Sequence, residues 1–336
     1  YMKAVSFGEI MLRLNPHGYE RFLQADEFCA NFGGAEANVA VTLSILGVDS
    51  YYVSKLPDHE IGSMAIGALR RYGVHTENVV RGGERIGVYY LEKGASQRGS
   101  KVIYDRKYSS FSASSPSDYD WEKALYGADW FHFTGITPAL GDNIVEALLE
   151  ALSYCREHGI TVSCDLNYRS KLWSVEKCAE TMKKIMPYVN VLVANEEHAD
   201  FIFGIKPQNA APSTQEAYES VAKQLYEKYN LKAAVITIRE SISADDNKWG
   251  AMIYDGKEAC FSEMYKMHMV DRVGGGDAFC GAYIYTQLKG YSTRDAVDFA
   301  AAAGVLKHSI EGDFNLSSVE DIERLVRFGG NGRPAR

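Results

Sequence analysis

Val270-Asp271-Arg272-Val273-Gly274-Gly275-Gly276-Asp277-Ala278-Phe279 joins the end of an apolar segment to three glycines and then to an acidic residue. Beyond it, Ala278, Phe279, Ala282, Tyr285 and Leu288 recur at three- and four-residue steps. That spacing predicts a helix, with Gly290 as its stop. Glycines at its start let the backbone turn tightly and leave peptide N–H groups bare. With the helix dipole, those donors make a site for a phosphate-like anion. Asp277, in the first turn, would lie beside the anion, where a carboxylate can take a proton from an attacking hydroxyl. Taken alone, the stretch has a plainer reading, because Asp often caps a helix and glycine runs often make turns.

Outward from this point the chain repeats the design. Asn31-Phe32-Gly33-Gly34-Ala35 is a second glycine turn, opening into a helix that ends near Gly47. Lys3 to Leu14 alternates and is apolar, which reads as one strand containing Gly8-Glu9; a further strand-like run lies at Phe22-Leu23. Tyr51 to Leu56 reads as a strand and Ile61 to Tyr72 as a helix. Residues 87–92 and 101–106 are β-rich and flank a polar turn, which predicts a hairpin. With the strands near residues 11–30 it would form a small sheet standing off the main domain.

From Trp130 the pattern alternates. Strands are expected at 130–134, 161–165, 189–194, 233–238 and 249–254, and helices at 144–157, 178–186 and 218–229. This rhythm predicts an α/β fold with a doubly wound, largely parallel sheet and helices on both faces. Ligands in such sheets sit beyond the carboxyl ends of the strands. The polar stretches starting at Asp165, Asn195 and Thr237 fall at those ends.

At 336 residues, with 46% hydrophobic and 24% charged residues, the chain suits a large globular domain. A formal net charge of −8 argues against nucleic acid as a main partner. No apolar run reaches about 18 residues, so no membrane partner is expected. The six cysteines are dispersed without a Cys-x-x-Cys pair, which favours reduced thiols. With no secretory pattern at the start, the expected location is cytoplasmic. The common nucleotide, zinc-protease and serine-hydrolase motifs are absent, so any phosphate site here is of another type.

Gly33-Gly34-Ala35-x-x-Asn38-x-Ala40, with Gly274-x-Gly276-Asp277 at the far end, resembles the ribokinase-like (PfkB-type) carbohydrate kinases. Four stretches resemble the 2-keto-3-deoxygluconate kinases among them: residues 8–14, 18–22, Asp165-Leu166-Asn167-Tyr168-Arg169-x-x-Leu172-Trp173, and 271–279. The likeness runs from Met2 to about Leu325. It implies one ribokinase-like domain over 2–325, with a β-sheet lid from about 11–30 and 85–108.

The implied activity is ATP-dependent phosphorylation of the terminal hydroxyl of a sugar acid, with Mg²⁺. Asp277 would be the base, and Gly274, Gly275 and Gly276 the anion hole. The helix terminus that binds the anion would also lower the pKa of Asp277. Gly34, Tyr89, Tyr104, Arg106, Arg169 and Asp313 would hold the substrate, with Arg106 and Arg169 gripping its carboxylate through planar forks. Thr237 and Arg239, following a strand, would contact the nucleotide, with Ala303, Gly304 and Lys307 near the adenine. The resemblance also implies a homo-oligomer formed through the lid.

Two places depart from the family. Its Asn-x-x-Glu appears as Asn195-Glu196-Glu197-His198, which displaces the acid that helps organise Mg²⁺, and the polar segment 240–248 is longer than the usual turn. The alternatives are a kinase for fructose or another neutral sugar, and a non-catalytic sugar-binding protein on the same scaffold.

Overall fold

A computed structural model describes residues 2–330. Its strands in chain order are β1 (Lys3–Phe7), β2 (Met11–Asn15), β3 (Cys29–Gly33), β4 (Asp49–Leu56), β5 (Val79–Arg81), β6 (Val88–Glu92) and β7 (Lys101–Asp105). There follow β8 (Trp130–Thr134), β9 (Thr161–Asp165), β10 (Val191–Ala194), β11 (Ala233–Ser241), β12 (Asp246–Tyr254), β13 (Ala259–Phe261) and β14 (Tyr265–His268).

Ten of them form one sheet in the order β13-β12-β11-β10-β9-β8-β1-β4-β5, with β14 also paired to β12. The run from β11 to β5 is parallel throughout. The other four make a separate sheet, β3-β2-β6-β7. This is the expected α/β architecture with its small second sheet.

Central strands such as β8 and β10 are buried along their whole length, because helices cover both faces. Helices Asp142–Glu157, Val175–Ile185 and Gln215–Tyr229 pack on one side. Helices Ala35–Ile45, Gly275–Leu288 and Thr293–Lys307 pack on the other. Gly275–Leu288 lies between its two neighbours and is buried almost all round. Gly281 allows the close approach: a Cβ there would lie 2.7 Å from Thr42 Cβ. The helix stops at Gly290, whose φ is +72°.

Several expectations are corrected. The single strand over 3–14 is two strands in different sheets, separated at Gly8-Glu9-Ile10; both halves are apolar, so periodicity does not reveal the break. Phe22–Gln24 is a 3₁₀ turn, with Leu23 fully exposed. Segment 240–248 is the tip of a long antiparallel hairpin, because β11 continues to Ser241. Helix Thr293–Lys307, capped by the Ser292 side chain on Asp295 N–H, is an additional element absent from the sequence reading.

Candidate active site

Both sheets and the N-termini of helices Ala35–Ile45, Glu196–Phe203 and Gly275–Leu288 border one cleft of about 1130 Å³. Helix Gly275–Leu288 points its first turn into it. Gly274 caps that helix with φ +88° and leaves no room for a side chain, since a Cβ would lie 2.1 Å from the Asp313 carbonyl oxygen. At Gly275 a Cβ would strike the His308 ring, whereas at Gly276 nothing lies within 4 Å. The first backbone bond of the helix runs from Ala278 N–H to the Gly274 carbonyl, at 2.9 Å. The N–H groups of Gly275, Gly276 and Asp277 therefore have no acceptor among the described residues. Three bare donors at a helix start are suited to an anion.

Asp277 stands beside them. Asn38 Nδ2 donates to its Oδ2 at 2.8 Å, and Asn38 is held in turn by its backbone bond to the Gly34 carbonyl at 2.7 Å. The dipole argument predicts a lowered pKa for Asp277, and the structure reverses it. The carboxylate is raised to about 7: burial pushes it up most, the Asn38 bond and the charge of Arg169 pull it down, and Asp165 and Glu36 add to the rise. Burial is the largest cause, and a carboxylate raised toward neutral pH is chemically suited to accept a proton there. Asp165, at the end of β9, is likewise raised to about 6 by burial, against the pull of Arg169.

The candidate acceptor residues Gly34, Tyr89, Tyr104, Arg106, Arg169 and Asp313 all line this cleft. Gly34 is required because a Cβ would lie 2.1 Å from the Glu9 carbonyl oxygen. Tyr89 donates to Asp313 Oδ2 at 2.5 Å, and Asp313 Oδ1 accepts from Asn31 Nδ2 at 3.1 Å.

The expected pair of carboxylate-gripping arginines needs correction. Arg106 is buried against Glu9, which accepts from its Nε at 2.9 Å and its Nη2 at 2.5 Å. Its charge is neutralised within the protein and most of its fork is occupied. Arg169 is exposed and has no side-chain partner among the described residues. Of the two, it is the arginine left open to a ligand's carboxylate.

At the other end, Thr237 and Arg239 line the cleft from inside β11 rather than after it. Arg239 Nη1 donates to Asn247 Oδ1 at 3.1 Å, and burial with the nearby charge of Arg272 lowers its pKa to about 10. Two cations forced together beside the glycine turn favour a polyphosphate.

Gly304 and Lys307 do not line the cleft. Gly304 lets Trp249 pack, since a Cβ would lie 2.2 Å from its ring. Lys307 is fully buried, with Nζ bonded to the Ile310 carbonyl at 2.9 Å.

In the departing motif, Asn195 caps helix Glu196–Phe203 through His198 N–H, and Glu196 accepts from Ser213 N–H. Glu197 faces the cleft, exposed and without a partner among the described residues. Asn38, Glu9 and Arg272 belong to the site although the sequence reading gave them no role. Asn38 and Arg272 lie inside the quoted glycine motifs and Glu9 inside the quoted stretch 8–14, which was the available signal.

A cleft between a large α/β sheet and a separate small sheet, with a glycine helix start and an adjacent carboxylate, matches a sugar-kinase architecture. The sequence matches the pfkB family carbohydrate kinases over residues 2–313, and the chain belongs to that family. It is 34% identical to the 2-dehydro-3-deoxygalactonokinase of Haloferax volcanii, over 98% of each chain. It is 27% identical to the 2-dehydro-3-deoxygluconokinase of Thermoproteus tenax, over 97% of this chain and 94% of that one. The crystal structure of 2-dehydro-3-deoxygluconokinase from Thermotoga maritima superposes with a TM-score of 0.95 at 50% identity, covering 97% of this chain and 98% of that one. Among the described residues no helix is long and apolar enough to cross a membrane.

Proposed function

We propose that this protein transfers the terminal phosphate of ATP to the terminal hydroxyl of a 2-keto-3-deoxy sugar acid, a 2-dehydro-3-deoxygluconate or its galactonate epimer. The observation that carries this reading is the open helix start, with Asp277 beside it, in the same cleft as the unpartnered Arg169. Names of relatives over nearly the whole chain support it. A substrate carboxylate matches Arg169, whose guanidinium lines the cleft with no hydrogen-bonded or ion-paired partner among the described residues.

Asp277 would hold the attacking hydroxyl and accept its proton, while the N–H groups of Gly275 and Gly276 stabilise charge on the transferring phosphoryl group. Arg239 and Arg272 would steady the remaining phosphates. Glu197 is an unpartnered carboxylate suited to Mg²⁺ arriving with the nucleotide, which would neutralise phosphate charge.

ATP consumption with the sugar acid, fructose and ribose tests the assignment. Turnover of the acid well above both neutral sugars is expected. Turnover of fructose or ribose at an equal rate would retire the carboxylate argument, and binding without turnover would favour a non-catalytic role.

The lid supports a second proposal, self-association. Ala30, Leu14, Tyr90 and Ile103 are paired in register across its four strands and so share its outer face. Ala30 and Ile103 are exposed and the other two half-buried. A second copy would cover this apolar row. Sedimentation at micromolar concentration should give a dimer mass that Ile103→Asp reduces to a monomer; a monomeric parent would refute it.

A further inference from the structure

Behind the cleft wall lies a cluster of charges, Arg13, Asp271 and Lys307, that reaches the cleft lining through Asp313. Arg13, on lid strand β2, is 1% exposed. Its Nη2 lies 2.6 Å from Asp271 Oδ2 and its Nη1 3.0 Å from Asp313 Oδ1. Its Nε has no partner among the described residues. Asp271 in turn accepts from Val273 N–H at 3.1 Å and from Gly312 N–H at 3.0 Å. Lys307 lies near both aspartates, whose charges partly offset its desolvation. Three segments therefore converge on Gly274: Val273 held by Asp271, the Asp313 carbonyl oxygen, and the Lys307 stem, whose Cε would lie 3.4 Å from a Cβ on that glycine.

Each arm of Arg13 ends on a different part of the reaction. The Asp271 arm fixes the turn that presents the bare N–H groups. On the other arm, the Tyr89 hydroxyl donates its hydrogen bond to Asp313, so the phenolic oxygen is left to accept one from a sugar hydroxyl. A planar guanidinium can satisfy both carboxylates at once, whereas an ammonium is a point charge. Without the cation, two carboxylates would remain in a dry interior and move apart or take up protons.

We propose that Arg13 is a positioning residue for phosphoryl transfer, fixing the anion hole through Asp271 and the acceptor-binding Tyr89 through Asp313, so that the lid base and the glycine turn move as one body. The proposal rests on the kinase reading of the cleft. Wild-type turnover, measured first on the sugar acid and on neutral sugars, tests that reading separately and supplies the acceptor for the comparison.

The experiment compares kcat, acceptor KM and melting temperature for Arg13→Lys, Asp271→Asn and Tyr89→Phe. Arg13→Lys should lower kcat by roughly tenfold or more, as expected for a misplaced anion hole, and also raise acceptor KM. Asp271→Asn should lower kcat and leave KM alone, and Tyr89→Phe should do the reverse. A merely structural role would lower the melting temperature and leave both constants of the folded enzyme within about twofold, and that result overturns the proposal. If Arg13→Lys does not fold, the split between the other two variants decides. Both parameters moving together in each, or neither moving, overturns the proposal as well.

Discussion

At the proposed acceptor end of the cleft, the charged groups other than Arg169 are held by partners from distant parts of the chain, whereas at the proposed nucleotide end Glu197 and Arg272 face solvent alone. Glu9 holds Arg106, Asn38 holds Asp277, and Arg13 with Asn31 and Tyr89 holds Asp313. Glu197 and Arg272 line the same cleft, exposed and unpartnered among the described residues. The difference follows from the task at each end. Proton removal and charge stabilisation need dipoles fixed before the substrate arrives, because reorganisation during the reaction raises the barrier. Nucleotide phosphates and their metal bring their own charges, so groups there can settle around them.

The comparison breaks most sharply at the glycines. Gly276→Ala adds a methyl group to open space at the helix start, so the fold should melt at an unchanged temperature while kcat falls by about 10²-fold, the scale of a lost anion-hole donor. Gly274→Ala should instead destabilise the fold, because φ is +88° and the Asp313 carbonyl fills the space. A Gly276→Ala enzyme of normal activity would show that phosphate does not approach this turn.

Arg169→Met comes next. Losing one charge-assisted contact should raise KM for the sugar acid about tenfold or more and leave a neutral sugar's KM unchanged. Equal effects on both acceptors would remove the carboxylate from the argument. At the nucleotide end, Glu197→Gln should change only the Mg²⁺ concentration needed for half-maximal rate, by a few-fold. A collapse of kcat at saturating Mg²⁺ would show that this end is as rigidly built as the other.

The same contrast explains what the sequence disclosed. Both glycine motifs were legible because a tight turn onto a helix needs particular residues at fixed spacing, and the strand–helix rhythm after Trp130 was legible through burial. The capture of Arg106 by Glu9 was not, since the partners lie 97 residues apart and only the folded lid brings them together. Lys307 was expected near the adenine only through the family resemblance, yet here it is buried near Asp271 and Asp313 with its Nζ on the Ile310 carbonyl. The raised pKa of Asp277 depends on burial in the fold and on Asp165 and Glu36, both distant in the chain, and local sequence showed only the helix dipole.

The most direct test is Asp277→Asn, measured for kcat on the sugar acid with ATP saturating and for melting temperature at pH 8 and pH 4. Loss of the base should lower kcat by about 10³-fold. The carboxylate's folded pKa of about 7 exceeds its ordinary value of 3.8, so proton binding stabilises the fold fully below the ordinary value and that contribution is lost as pH rises through 7. The variant should therefore melt higher than the parent at pH 8 and at the same temperature at pH 4. A variant that keeps kcat within about tenfold, or melts lower at pH 8, would contradict a buried carboxylate base as the centre of this site.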